Sequence, residues 1–328
     1  MSHRSKAYAA VHASAKDTLR RLLGVGADWH VLFLTGGASM QFHQVPLNLL
    51  GPGQTAAYVN TGVWSQKAIA EAQVVAAPRG ASVAVASTSE ATGFDRIPAP
   101  ETWAVDPASA YLHVTSNNTI YGTELLDDVA SDVPVVCDAS SDFLSRPLDM
   151  DRYGLLYAGA QKNLGPAGTT LVLVRDDVLQ NRHEALRTGL PAMLDYARHT
   201  GDLYNTPPVI SVYLCEKVLR WIEREGGLDE MNRRADARAR LLYARLDRTD
   251  FYRGTVVPAW RSRMNVTFRL PSEALEAAFL AEAEARGLIG LKGHRTVGGL
   301  RASLYNAMPL AGVEALVSLM DDFEARMG

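Results

Sequence analysis

From about residue 31 to residue 174, short and nearly uninterrupted apolar runs alternate with segments of helical spacing, and no other feature of the chain constrains its fold so strongly. The runs VLFL (31–34), AAYVN (56–60), ASVAVA (81–86), AYLHVTS (110–116), PVVCDAS (134–140), GLLYAGA (154–160) and TTLVLV (169–174) read as strands. A strand with one solvated face alternates apolar and polar residues, whereas a run that is apolar throughout must be covered on both faces. The expected architecture is therefore α/β: a large, mostly parallel sheet with helices packed on both sides. The segment SQKAIAEAQVVAA after Trp64 supplies one such helix.

Further along, a helix over 210–225 is expected to stop at Gly226-Gly227, a pair suited to a helix terminus. The stretch EMNRRADARARLLYARL reads as an amphipathic helix with a solvated arginine face. Strands around 263–270 and 299–306, with helices starting at Ser272 and Ala311, complete a smaller α+β unit. The expected division is a large domain over 1–230 and a small C-terminal domain over 231–328. A chain of 328 residues is long enough to bury a core in each.

Composition removes several classes of function. The net charge is −3, so there is no basic excess to neutralise a phosphate backbone, and a nucleic-acid partner is not expected. No apolar run approaches the length of a membrane span, and the start MSHRSKAYAA lacks the apolar centre of a signal peptide. Cys137 and Cys215 both lie in apolar segments, as buried thiols in a reducing compartment would. A cytoplasmic protein with no membrane partner is expected. No His, Cys and Asp cluster has ligand spacing, so no metal is expected.

The residues that could carry chemistry sit where the strands end. Lys162 follows an apolar strand in the loop AGAQKNLGPAG; among such neighbours its amine loses charge stabilisation and becomes a candidate nucleophile, although a solvated loop lysine would look similar. Asp138 ends the run Pro-Val-Val-Cys, at the carboxyl edge where open α/β sheets place their ligands. Buried there, it needs a cation such as the protonated ring nitrogen of pyridoxal phosphate; otherwise it caps the next segment. The loop Gly36-Gly37-Ala38-Ser39 precedes a helix beginning near Met40, so it could cradle a phosphate or simply turn the chain. Trp64 could stack on a flat ring or pack against its own helix. His3, Arg4, His294, Arg295 and Arg301 are candidates for binding anions, with Arg301 conspicuous in an otherwise uncharged strand-like stretch.

Taken together these strings resemble one family. GGASMQFHQVPLNLL, YVNTGVWSQKA, HVTSNNTIYGTE, DASSDFLSRP, YAGAQKNLGPAG, YNTPP, RSRMNV and GLKGHRTVGGLRASLYNAMPL occur in the order in which they stand in the phosphoserine aminotransferases, class V aminotransferases of the fold-type I pyridoxal-phosphate enzymes. The resemblance spans essentially the whole chain. It implies that Lys162 carries the cofactor and shuttles the proton, that Asp138 pairs with the ring nitrogen, and that Trp64 stacks on the ring. Thr119 would hydrogen-bond the phenolic oxygen. Ala38, Ser39 and Gln161 would hold the cofactor phosphate, joined by Asn205 and Thr206 from the neighbouring subunit of a homodimer with shared sites. Arg301 would take the substrate α-carboxylate; His3, Arg4, His294 and Arg295 would take the distal phosphate or carboxylate.

The implied reaction moves an amino group reversibly between glutamate and 3-phosphohydroxypyruvate, giving phosphoserine and 2-oxoglutarate in serine biosynthesis, with a related step in pyridoxine biosynthesis. Family members carry an NFSAGPA-like stretch ahead of the His-Arg pair, which here stands at His3 and Arg4. The accompanying expectation is a form that binds cofactor yet turns substrate over poorly. A cysteine desulfurase is the rival chemistry, but neither cysteine lies on an exposed loop as that reaction needs. A catalytically dead protein retaining the fold is the other rival, and the combination of Lys162, Asp138 and Trp64 speaks against it.

Overall fold

The computed structural model describes residues 1–201 and 203–328. In chain order the strands are β1 (Trp29–Thr35), β2 (Thr55–Asn60), β3 (Ser82–Thr88), β4 (Leu112–Thr115), β5 (Asn117–Asn118), β6 (Thr123–Glu124), β7 (Val135–Asp138), β8 (Tyr153–Gly159), β9 (Thr169–Arg175), β10 (Arg253–Gly254), β11 (Asn265–Arg269) and β12 (Leu300–Ser303). The helices are α1 (Lys6–Leu23), α2 (Ser39–Leu49), α3 (Val63–Ala76), α4 (Asp176–Gln180), α5 (Val209–Arg224), α6 (Gly227–Leu246), α7 (Glu273–Ala285) and α8 (Leu310–Met327).

All the runs expected as strands between 31 and 174 join one seven-stranded sheet in the order β1-β9-β8-β7-β4-β2-β3. Only β9 runs against its neighbours; β8, β7, β4, β2 and β3 pair in parallel. The sheet is mostly parallel, as expected. Its strands are apolar throughout because successive residues enter different cores. Val31, Phe33, Leu156, Ala158, Leu171 and Leu173 face a core shared with α1 and α5, while Leu32, Leu34, Leu155, Tyr157, Val172 and Val174 face one shared with α2 and α3.

Sequence spacing did not announce α1. Its signals are local: the Ser5 side chain accepts from the Tyr8 N–H at 3.2 Å, and Gly24 closes the helix with φ 67° in the left-handed region. Tyr8, Ala15, Leu19 and Leu23 bury one face beside Val212, Cys215, Leu219 and Ile222 of α5. Ser14 donates to Glu216 at 2.9 Å, and Arg21 donates to Glu223 at 2.8 Å, along the rim of that contact.

Helix α6 begins in the first core with Leu228 and Met231 and ends in a third with Leu242 and Leu246. This third core joins α6, α7 and α8 to the antiparallel sheet β10-β11-β12 through Tyr252, Phe268, Phe279 and Phe323. The arginine face expected of α6 is only partly solvated. Arg238 and Arg245 are buried and donate to the carbonyls of Met308 and Met320, each at 3.2 Å. Arg245 also pairs with Asp321 and Glu324 of α8, so its charge is compensated inside the interface.

Because Leu19 is fully buried between α1 and the rest of the first core, Leu19→Ala removes packing that the helix cannot rebuild. The expected loss is about 2–5 kcal/mol in chemical denaturation. A loss below about 0.5 kcal/mol would mean that α1 is not part of this core.

Candidate active site

β1, β2, β4, β7 and β8 run in one direction, so the residues that follow each of them emerge along one sheet edge. That topology gathers groups from distant parts of the chain: Ala38 and Ser39 after β1, Trp64 after β2, Thr119 beyond β4, Asp138 at the end of β7, and Gln161 and Lys162 after β8.

Asp138 is buried, and the Ser140 N–H donates to its Oδ1 at 3.0 Å. Burial pushes its carboxyl above the ordinary range; Ser140, the Lys162 charge and the Tyr157 hydroxyl oppose that rise. Lys162 lies in a tight turn in which the Gly165 N–H donates to the Ala160 carbonyl at 2.7 Å. Burial lowers the pKa of its amine, with Asp138 and Asp142 working against the shift and Arg301 adding to it. Among the described residues the amine has no hydrogen bond or ion pair; it stands 6.0 Å from the Trp64 ring centroid.

The Trp64 indole N–H donates to the Thr119 hydroxyl at 3.0 Å, so both residues brace the same face of the site. Arg301, on β12, reaches across from the C-terminal sheet and donates to the Thr119 carbonyl at 2.8 Å. Among the described residues its buried Nε has no hydrogen-bond partner. His294 is close by: burial, Arg301, Arg295 and Lys67 all push its pKa down. Gly159 explains how Gln161 and Ala38 share one corner. A Cβ there would stand 2.7 Å from the Gln161 Oε1 and 3.4 Å from the Ala38 Cβ, so a side chain would force them apart.

Within one subunit, four of the expected residues lie elsewhere. His3, Arg4, Asn205 and Thr206 line a separate cavity of about 830 Å³ with His12, Lys16 and Tyr204. Burial and Lys16 hold the His12 imidazole down to about 4, so it is neutral near pH 7. Two residues of the main cluster escaped the sequence reading. Lys67 stands three positions after Trp64 on α3, with its amine 5.0 Å from that ring. Asp142, four positions after Asp138, is buried and accepts from the Ser116 hydroxyl at 2.5 Å. Cys137 and Cys215 are buried, and burial raises both thiols, Cys215 to about 12, which leaves neither as a nucleophile.

A family model described as Aminotransferase class-V matches residues 1–316. The chain belongs to the class-V aminotransferases. A phosphoserine aminotransferase of Desulfosudis oleivorans is 51% identical over 332 residues, covering 100% of this chain and 89% of the relative. The solved phosphoserine aminotransferase of Bacillus circulans subsp. alkalophilus superposes with a TM-score of 0.94 at 46% identity, covering 100% of this chain and 90% of that one. A structure of phosphoserine aminotransferase from Trichomonas vaginalis with pyridoxal phosphate bound gives a TM-score of 0.91 at 35% identity, covering 98% of this chain and 90% of that one. This class-V member is thus an α/β transaminase.

The charge geometry makes a signed prediction. Asp138 holds the Lys162 pKa up, so in cofactor-free protein Asp138→Asn moves it further down. The pH midpoint for acylation of Lys162, followed by mass spectrometry, shifts to lower pH; a shift upward contradicts the arrangement.

Proposed function

We propose that this chain transfers the amino group between glutamate and 3-phosphohydroxypyruvate, giving phosphoserine and 2-oxoglutarate, with pyridoxal phosphate as cofactor. One observation carries the reading: a half-buried amine, with no hydrogen bond or ion pair among the described residues, faces an indole ring and lies in the field of the buried Asp138 carboxylate. These residues fit the cofactor chemically. Trp64 offers a flat face, Asp138 an acid for the ring nitrogen, and Thr119 a hydroxyl. No side chain caps the start of α2, leaving Ala38 and Ser39 available to a phosphate together with Gln161.

When bound, pyridoxal phosphate supplies an electron sink for negative charge at the substrate α-carbon. The protein does the rest. With its pKa lowered by burial, Lys162 gives up its proton more readily than a solvated lysine, so its Nζ can take the proton from the α-carbon and return it elsewhere. Asp138, ionised next to a cation, fixes the ring nitrogen's charge. Arg301 receives the α-carboxylate through guanidinium N–H groups other than the Nη1 that holds the Thr119 carbonyl. Arg295, with Lys67 adjoining, forms the positive flank for the distal phosphate of one substrate and the side-chain carboxylate of the other, and His294, whose pKa burial and these cations lower, offers a neutral ring N–H beside them.

The cavity lined by His3, Arg4, Asn205 and Thr206 belongs, in this reading, to the site of a second subunit. A symmetric homodimer would then bring Asn205 and Thr206 to the partner's cofactor phosphate and His3 and Arg4 to its substrate. The chain divides functionally into a large cofactor domain, 1–230, and a small domain, 231–328, that carries Arg301. Activity on a phosphorylated hydroxythreonine fits the same charge requirements. Among the described residues no helix is long and apolar enough to cross a membrane, and a cytoplasmic setting suits the two buried thiols.

The experiment is a spectral titration. Protein loaded with pyridoxal phosphate shows a visible band from the lysine-bound cofactor, and glutamate and phosphoserine, added separately, each convert it. Serine, lacking the phosphate, converts it at least about ten-fold less efficiently. Absence of the band, a band unchanged in Lys162→Ala, or equal use of serine and phosphoserine contradicts the reading.

A further inference from the structure

We infer that His113 and Tyr157 are positioning residues: His113 donates from Nε2 to the Tyr157 oxygen, which directs the single Tyr157 proton onto the carboxylate of Asp138. The inference rests on the proposed pairing of Asp138 with the cofactor's ring nitrogen.

The sheet register brings the three together. Asp138 pairs with Tyr157, and Val136, two residues earlier on the same face, pairs with His113. His113 and Tyr157 therefore stand on either side of β7 and point to the face that carries Asp138. The His113 Nε2 lies 3.0 Å from the Tyr157 hydroxyl oxygen, the register sets Tyr157 beside Asp138, and the hydroxyl helps hold that carboxyl's pKa down. His113 and Tyr157 are almost completely buried, at 1% and 0% exposure.

Proton counting selects the direction. Burial pushes the His113 pKa down to about 3, so the ring is neutral and carries one proton. Among the described residues its buried Nδ1 has no partner. A proton on Nδ1 would be an orphaned donor, and Tyr157 would have to spend its own proton on Nε2. A proton on Nε2 leaves only an idle lone pair at Nδ1 and frees the Tyr157 proton for a charged acceptor, the stronger kind of bond. The ring cannot swing to escape this choice. Tyr58 stacks on it with centroids 4.8 Å apart and planes 20° from parallel, and the Tyr58 hydroxyl is held by that of Tyr111 at 2.7 Å. The other groups facing this pocket are the phenols Tyr58, Tyr111 and Tyr196, whose pKa values burial raises, with the Arg79 charge acting on the outer one, Tyr111.

The test measures affinity of the cofactor-free protein for pyridoxal phosphate by spectral titration, alongside its melting temperature without cofactor. Tyr157→Phe and His113→Leu each bind about ten-fold more weakly, the loss expected for one hydrogen bond to a charged group. His113→Gln, whose amide can place a donor near the Nε2 position, recovers affinity to within about three-fold of wild type. The isosteric Tyr157→Phe keeps the test open even if a His113 variant fails to fold. Affinity within about two-fold of wild type in Tyr157→Phe overturns the inference. So does a folded His113→Gln as weak as His113→Leu, which would mark His113 as packing alone. Asp138→Asn separates the two levels: normal binding there defeats the pairing with the ring nitrogen, whereas weak binding there beside normal Tyr157→Phe defeats only the relay.

Discussion

A buried carboxylate and a half-buried amine at one sheet edge dominate the physical chemistry of this chain. Burial alone would protonate Asp138 and discharge Lys162, and each resists that fate mainly through the field of the other and of a few fixed donors. Such a pair weakens stability unless every neighbour is placed correctly. Much of the fold can be understood as that placement. β7 and β8 lie side by side so that the end of one and the turn after the other meet, and the strands beyond them bring Trp64 and Thr119 across the top.

The small C-terminal sheet matters to the site through one long reach. Arg301 spans from β12 to the Thr119 carbonyl, joining the C-terminal core to the turn that braces Trp64. Neighbouring buried polar groups stiffen the same junction: the Asn117 amide donates to the Asn265 side chain at 2.9 Å, and Arg263 pairs with the buried Glu124 at 2.9 Å. The position of the Arg301 guanidinium is therefore set by both cores.

The sheet was legible from sequence because burial on both faces writes itself as unbroken apolar runs, and each run proved to be a strand of one sheet. Asp138 and Lys162 were legible because the carboxyl ends of such strands are where chemistry gathers. Helix α1 was not, since a cap at Ser5 and a glycine at 24 are weak marks without a long apolar stripe. The burial of Arg238 and Arg245 escaped for a related reason: their partners are carbonyls and acids from α8 and the turn before it, remote in sequence. Spacing could not reveal the row of His113, Tyr157 and Asp138, because strand register makes them neighbours; Lys67, one helical turn after Trp64, lay within reach of spacing and was missed. The separate grouping of His3 and Arg4 with Asn205 and Thr206 likewise appears only when the chain is folded.

The central claim is that the Asp138 carboxylate stays ionised in the buried site because a cation meets it there. Nitrogen-15 NMR of protein reconstituted with ring-labelled pyridoxal phosphate tests this directly. The account predicts a protonated ring nitrogen at neutral pH that loses its proton in Asp138→Asn. An unprotonated ring nitrogen in the wild-type protein, or a protonated one that persists unchanged in Asp138→Asn, would contradict it.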